Sequence, residues 1–235
     1  MFFLRNNQPL FDMDNPILDW HFPNNPILPG AIQCSIVSLY SKNKEIQFDV
    51  KFRKMVDGRA IAGIELVYGE DGIQLIDRLN DNLYTEFTYK LNNTKGTLVD
   101  SIITNWVPQG CDRNRDLIYH EYIFEIGQQV HTTLDLSLLC ESRKLSGSVP
   151  ELVFIMIETM GNLALEKSKF SDLIFYKFDD VFMDLSKISS NIRIVTKIIH
   201  QSSILTWCSE AYNVNNELVV KIGKATSVNR PRDIL

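Results

Sequence analysis

Two stretches of this 235-residue chain carry the residue types needed to move protons. The first is Trp20-His21-Phe22-Pro23-Asn24-Asn25-Pro26-Ile27-Leu28-Pro29-Gly30-Ala31-Ile32-Gln33. Each of its three prolines fixes its own φ and pushes the preceding residue toward extended backbone. The imidazole of His21 is thereby held in place rather than left to swing. From Ala31 to Tyr40 the residues suit a helix and include no further Pro or Gly. Gly30 therefore marks a helix N-terminus, where unpaired backbone N–H groups favour negative charge and a missing side chain allows close approach. A fixed base beside such N–H groups suits removal of a proton next to a carbonyl, with charge gathering on its oxygen. An ordinary loop also has this composition.

The second stretch is Pro150-Glu151-Leu152-Val153-Phe154-Ile155-Met156-Ile157-Glu158-Thr159-Met160-Gly161-Asn162. Glu158 falls in its most apolar part. Burial disfavours the charged form of a carboxylate, which suits a general acid. Asn162 follows one helical turn later on the same face. Glu151, Glu158, Asn162 and Glu166 would equally make a solvated stripe on a surface helix.

These residues need elements to position them. Met1 to Phe11 reads as one short strand and Asp12 to Pro29 as loop. Ala31 to about Lys42 reads as a helix that is apolar on most sides, as a helix wrapped by a sheet would be. Glu45 to Met55 alternates, with Ile46, Phe48, Val50 and Phe52 on one face. Strands at Ala60–Tyr68, Ile73–Leu79 and Leu83–Leu91 follow, with a turn at Gly69-Glu70-Asp71-Gly72. The second half repeats the order. Strands at Leu117–Ile126 and Val130–Cys140, a polar loop at Ser142–Ser148 and a helix over Pro150–Lys167 precede four strands. Those start at about Leu173, Asn191, Ser203 and Glu217. The pattern, not residue identity, is an internal repeat. It divides the chain into a first unit at 1–96, short at its N-terminus, and a second at 97–235.

His21-Phe22-Pro23, Pro26-Ile27-Leu28-Pro29-Gly30 and the helix after them closely resemble the active-site motif of the 3-hydroxyacyl-acyl-carrier-protein dehydratases of the hot-dog fold. With the repeat, the resemblance implies an α+β double hot dog: two long central helices, each wrapped by a curved antiparallel sheet. It implies His21 as base and Glu158 as acid, with Phe22, Pro29, Gly30, Ala31 and Asn162 around the substrate. Ile27, Phe154 and Met160 are further candidates for an apolar lining. In that family the helix after Pro-Gly carries an acid two turns along, where this chain has Ser35. The loop before Glu158, around Lys144, has no histidine. The two gaps complement each other if the chain is a fused dimer: one complete site from His21 and Glu158, and one abandoned twin at Ser35 and Lys144. A modular polyketide synthase dehydratase domain shares the histidine-first, acid-second order, although its Pro-to-Asp spacing is shorter than Pro150 to Glu158. The implied partner is an acyl carrier protein, with a homodimer or a second hot-dog subunit left open. No metal or redox cofactor is expected. A related isomerase or thioesterase, or a non-catalytic partner subunit, stays in contention.

Composition fits this picture. With 45% hydrophobic and 23% charged residues the chain resembles an ordinary globular protein. A net charge of −5 argues against a nucleic-acid partner. Cys34, Cys111, Cys140 and Cys208 are widely spaced, so reduced core thiols in the cytoplasm are expected, not a disulfide frame or a zinc site. Met1-Phe2-Phe3-Leu4 runs directly into Arg5-Asn6-Asn7, unlike a signal peptide. No apolar run approaches a membrane span. Asn92-Asn93-Thr94 forms a glycosylation sequon of little weight without an export signal. His120, His131 and His200 read as packing or surface residues on strands. Lys42, Lys44, Lys51, Arg53, Lys54 and Arg59 form a locally basic region that an acidic carrier protein would sense, or simply a solvated strand face.

Overall fold

The structure is a computed structural model. It describes residues 2–5, 8–11, 27–40, 45–57, 64–69, 71–77, 80–90, 123–126, 128–171 and 173–229. His21, Phe22, His120, Cys111, the sequon and the expected unit boundary at 96/97 lie outside these residues.

The N-terminal stretch forms a hairpin, β1 (Phe2–Arg5) with β2 (Gln8–Phe11), where one strand was expected. In the sequence two asparagines, a residue type that favours turns, lie between the two strands. A two-residue strand β3 (Ile27–Leu28) then leads into helix α1 (Gly30–Tyr40). Strands β4 (Glu45–Phe52), β5 (Val56–Asp57), β6 (Ile64–Gly69), β7 (Gly72–Asp77) and β8 (Asn82–Tyr89) complete the first half. The second half runs β9 (Ile123–Ile126), β10 (Gln129–Asp135), α2 (Leu136–Arg143), α3 (Val149–Lys167), β11 (Leu173–Asp184), β12 (Asn191–Gln201), β13 (Ile204–Asn213) and β14 (Leu218–Asn229).

Helix α2 replaces part of the strand expected over Val130–Cys140. The carboxylate of Asp135 accepts from the backbone N–H of Leu138 at 2.9 Å and caps the helix. Leu136, Ser137 and Leu138 alternate as a strand would, so the cap decides the local structure.

Ten strands form one antiparallel sheet in the order β6-β7-β8-β4-β11-β14-β13-β12-β10-β9. The sheets of the two halves join edge to edge where β4 pairs with β11, Phe48 opposite Val181. At that joint β11 bulges, and Asp180 takes a left-handed φ of 57°. Gln47 donates to Asp180 Oδ1 at 2.6 Å, Asp180 N–H donates to Asp49 Oδ1 at 2.7 Å, and Lys221 Nζ lies 3.1 Å from Asp180 Oδ2. These polar contacts fix the bulge that bends the sheet.

Helices α1 and α3 pack side by side inside the curve of the sheet. Residues 31–38 of α1 are all buried, which explains why that helix is apolar on most sides. Each large apolar side chain so buried, such as Phe154 or Ile155, contributes about 1.5–3 kcal/mol relative to exposure. Cys34 lies in this core, and burial pushes its thiol pKa up. Cys140 and Cys208 are only half-buried, a correction to the expectation that all four thiols are in the core. No helix among the described residues is long and apolar enough to cross a membrane.

Candidate active site

The backbone around Pro29 is held from three sides. β3 pairs antiparallel with β5, Leu28 opposite Val56. Gln33 donates from its backbone N–H to Pro29 O at 3.1 Å, closing the first helical turn. Its side-chain amide donates to Leu28 O at 3.0 Å and accepts from the Thr85 hydroxyl of β8. The strand, the helix start and the sheet are thus tied to one buried glutamine. Pro29 and the start of α1 are anchored to the sheet in this way.

The first turn of α1 opens on a cavity of about 240 Å³. Leu28, Pro29, Gly30 and Gln33 line it from the first half. Glu158, Gly161, Asn162 and Leu165 line it from α3. Their spacing of three, one and three residues keeps them on one helix stripe. Phe52 at the end of β4, Arg53, Lys54 and Met55 after it, Leu173 to Tyr176 of β11 and Val228 complete the wall. Arg53, Lys54, Met55 and Tyr176 are exposed and mark the mouth. Glu158 is 8% exposed and so is mostly removed from bulk water. This excludes the solvated-stripe alternative, because Glu151 is also buried.

Pro29, Gly30, Glu158 and Asn162 therefore share one cavity. Ala31 is fully buried beside it and is not among its lining residues. Phe154 and Met160, expected as lining, are buried core residues outside the cavity lining. Phe154 belongs to the Glu158 stripe but lies one turn earlier, in the core and outside the cavity lining. The side chain of Ile27, and His21 and Phe22 entirely, are outside the described residues.

Gly30 has a more local role than close approach of a ligand. A Cβ there would lie 3.0 Å from the Phe175 ring and 3.1 Å from the Phe52 ring. A Cβ on Gly161 would lie 2.6 Å from the same Phe175 ring. Sequence reasoning missed Phe175, Gly161 and Gln33. A mid-helix glycine costs about 1 kcal/mol relative to alanine, so Gly161 was a legible sign of a close approach.

The twin position is differently built. Ser35 is fully buried and its hydroxyl donates to Ile32 O at 2.7 Å, within its own helix. Lys144 is an exposed C-cap of α2 in left-handed conformation, φ 56°. Glu151 accepts from the Ser146 hydroxyl at 2.6 Å and from Ser148 N–H at 3.3 Å, closing the start of α3. Of the other histidines, His200 is exposed and His131 is buried on β10. Burial, with Arg193 nearby, pushes the His131 pKa down to about 4. No group of three or more His, Cys, Asp or Glu able to hold a metal occurs among the described residues.

The sequence matches no family model and no curated protein. The fold is shared widely. The dehydratase domain from the CurJ module of the curacin polyketide synthase is similar with a TM-score of 0.65 at 14% identity, over 100% of this chain and 98% of that one. The dehydratase domain of RzxB from Pseudomonas fluorescens is similar with a TM-score of 0.64 at 12% identity, over 98% and 97%. A trans-acyltransferase polyketide synthase enoyl-isomerase is similar with a TM-score of 0.63 at 10% identity, over 88% and 92%. The chain has the double hot-dog fold of these proteins.

Proposed function

We propose that this protein is a hydro-lyase that dehydrates a 3-hydroxyacyl thioester, carried on an acyl carrier protein, to the trans-2-enoyl thioester. The observation that carries the reading is one cavity that joins the anchored Pro29-Gly30 turn of the first half to Glu158 and Asn162 of the second. In this reading His21 takes the proton from C2 of the substrate. Charge gathering on the thioester oxygen is met by N–H groups at the start of α1, near Gly30 and Ala31. Glu158 gives its proton to the 3-hydroxyl, the C3–O bond breaks, water leaves and the C2–C3 double bond forms. Asn162, one turn from Glu158, orients the hydroxyl. Both steps are proton transfers, so the scheme asks for no metal or redox group.

Arg53 and Lys54 at the mouth support an acidic carrier protein as the partner that delivers the substrate. The pathway class is fatty-acid, polyene or polyketide synthesis. The likeness to an enoyl-isomerase supports a second reading, in which the same two groups move a proton along an enoyl chain without loss of water.

Mass spectrometry of a 3-hydroxyacyl carrier protein incubated with the protein tests both. Loss of one water, abolished by His21→Ala and by Glu158→Gln, is the expected result. A shifted double bond with no change in mass would favour the isomerase. Neither change across several chain lengths would sink the catalytic reading and favour a non-catalytic partner subunit, whose companion would then co-purify.

A further inference from the structure

One side chain of the cavity wall backs directly onto aromatic core. Phe175 lines it, and its ring also lies 4.9 Å from Phe178 and 6.0 Å from Trp207, centroid to centroid. Phe178 and Trp207 are fully buried and neither is among the lining residues. Beyond the Phe175 ring, then, is packed aromatic core. The ring's place is prepared on both helices: only the missing side chains of Gly30 and Gly161 leave it room. Phe52, 6.3 Å away, flanks it. A ring gripped by two helices and backed by a core does not swing aside cheaply, because interiors are close-packed. The volume is also small: about 240 Å³, against roughly 300–1,000 Å³ for pockets that take drug-sized ligands.

We propose that Phe175 is the stop of this pocket, so that the protein accepts short acyl thioesters and rejects long ones. The proposal rests on the acyl-thioester reading above and names which members of that class fit. Phe175 acts here by length selection and takes no part in the proton transfers.

The test is calorimetric binding of unreactive acyl-pantetheine amides with four-, eight- and twelve-carbon chains, run beside dehydration assays with the matching 3-hydroxyacyl thioesters. Wild type, Phe175→Leu and Phe175→Ala are compared, each with its melting temperature. Wild type should bind the eight-carbon amide at least about ten-fold more weakly than the four-carbon one, since each misfitted methylene costs about that much. Phe175→Leu, which keeps apolar packing on Phe178 and Trp207, should erase most of that gap. Phe175→Ala should extend the gain to twelve carbons. A wild type that binds all lengths alike, or variants that leave the length ratio unchanged, would overturn the stop. Length-selective binding without dehydration would remove the dehydratase reading and leave the stop standing. Binding of no amide by any of the three proteins would remove both.

Discussion

The two central helices begin and continue in opposite ways. Helix α1 opens its first turn on the cavity and closes its middle, where Ser35 turns its hydroxyl back on its own backbone. Helix α3 closes its first turn with the buried Glu151 and opens its middle, where Glu158 and Asn162 reach the cavity. Each half offers the surface that the other has shut. Among the described residues one cavity is lined from both halves, while the position at Ser35 is packed as core. Two glutamates seven residues apart on one helix are both buried, one closing the helix start and the other lining the cavity.

The sharpest test of that division sets those glutamates against each other. Glu158→Gln should cut the dehydration rate by about 10²–10⁴-fold with a melting temperature close to wild type. Glu151→Gln should leave the rate within a few-fold and lower stability instead. Rates that fall equally in both would erase the distinction. Next in size, Ser35→Glu should not restore a second site. It places a carboxylate in a fully closed position and should cost about 3 kcal/mol or more, read by urea unfolding. A stable Ser35→Glu protein with raised activity would show that the twin is dormant, not filled in. Glu151→Ala removes acceptors for Ser146 and Ser148 and should cost about 1–2 kcal/mol.

The smallest expected effect concerns acid. His131 in the second half is held neutral by burial, with a pKa lowered to about 4. The unfolded chain binds that proton more readily than the folded one, so stability is full at neutral pH. It declines as pH falls from about 6.5, the unfolded value, toward 4. His131→Gln should flatten that decline in urea midpoints taken at pH 7 and pH 5. An unchanged slope would place the acid sensitivity elsewhere, for instance at the Asp180 bulge.

Much of this was legible in the sequence because it rests on periodicity and stiffness. Ile46, Phe48, Val50 and Phe52 alternate, and the structure buries all four. Pro29-Gly30 begins a helix where a proline-limited loop must end. What was not legible depends on depth and partner. Phe175 alternates like any strand residue, and alternation tells a face, not whether that face meets core or cavity. Phe154 and Glu158 share a stripe, and only tertiary packing decides that Glu158 reaches the cavity while Phe154 is buried. Helix α2 depends on a single residue at its end, Asp135, which a reading by period averages away.

The joint between β4 and β11 has a consequence during synthesis. Gln47 and Asp180, hydrogen-bonded in the finished protein, are 133 residues apart. At a translation rate of roughly 5–20 residues per second, β4 waits on the order of ten seconds for its neighbour to be made. Through that interval β8 can cover one edge of β4, and the other edge presents unpaired backbone groups to any passing strand. The emerging chain is therefore most vulnerable to mispairing along Glu45–Phe52. A chaperone that holds that segment, or a pause in translation beyond residue 184, would change the yield of folded protein without changing its final stability.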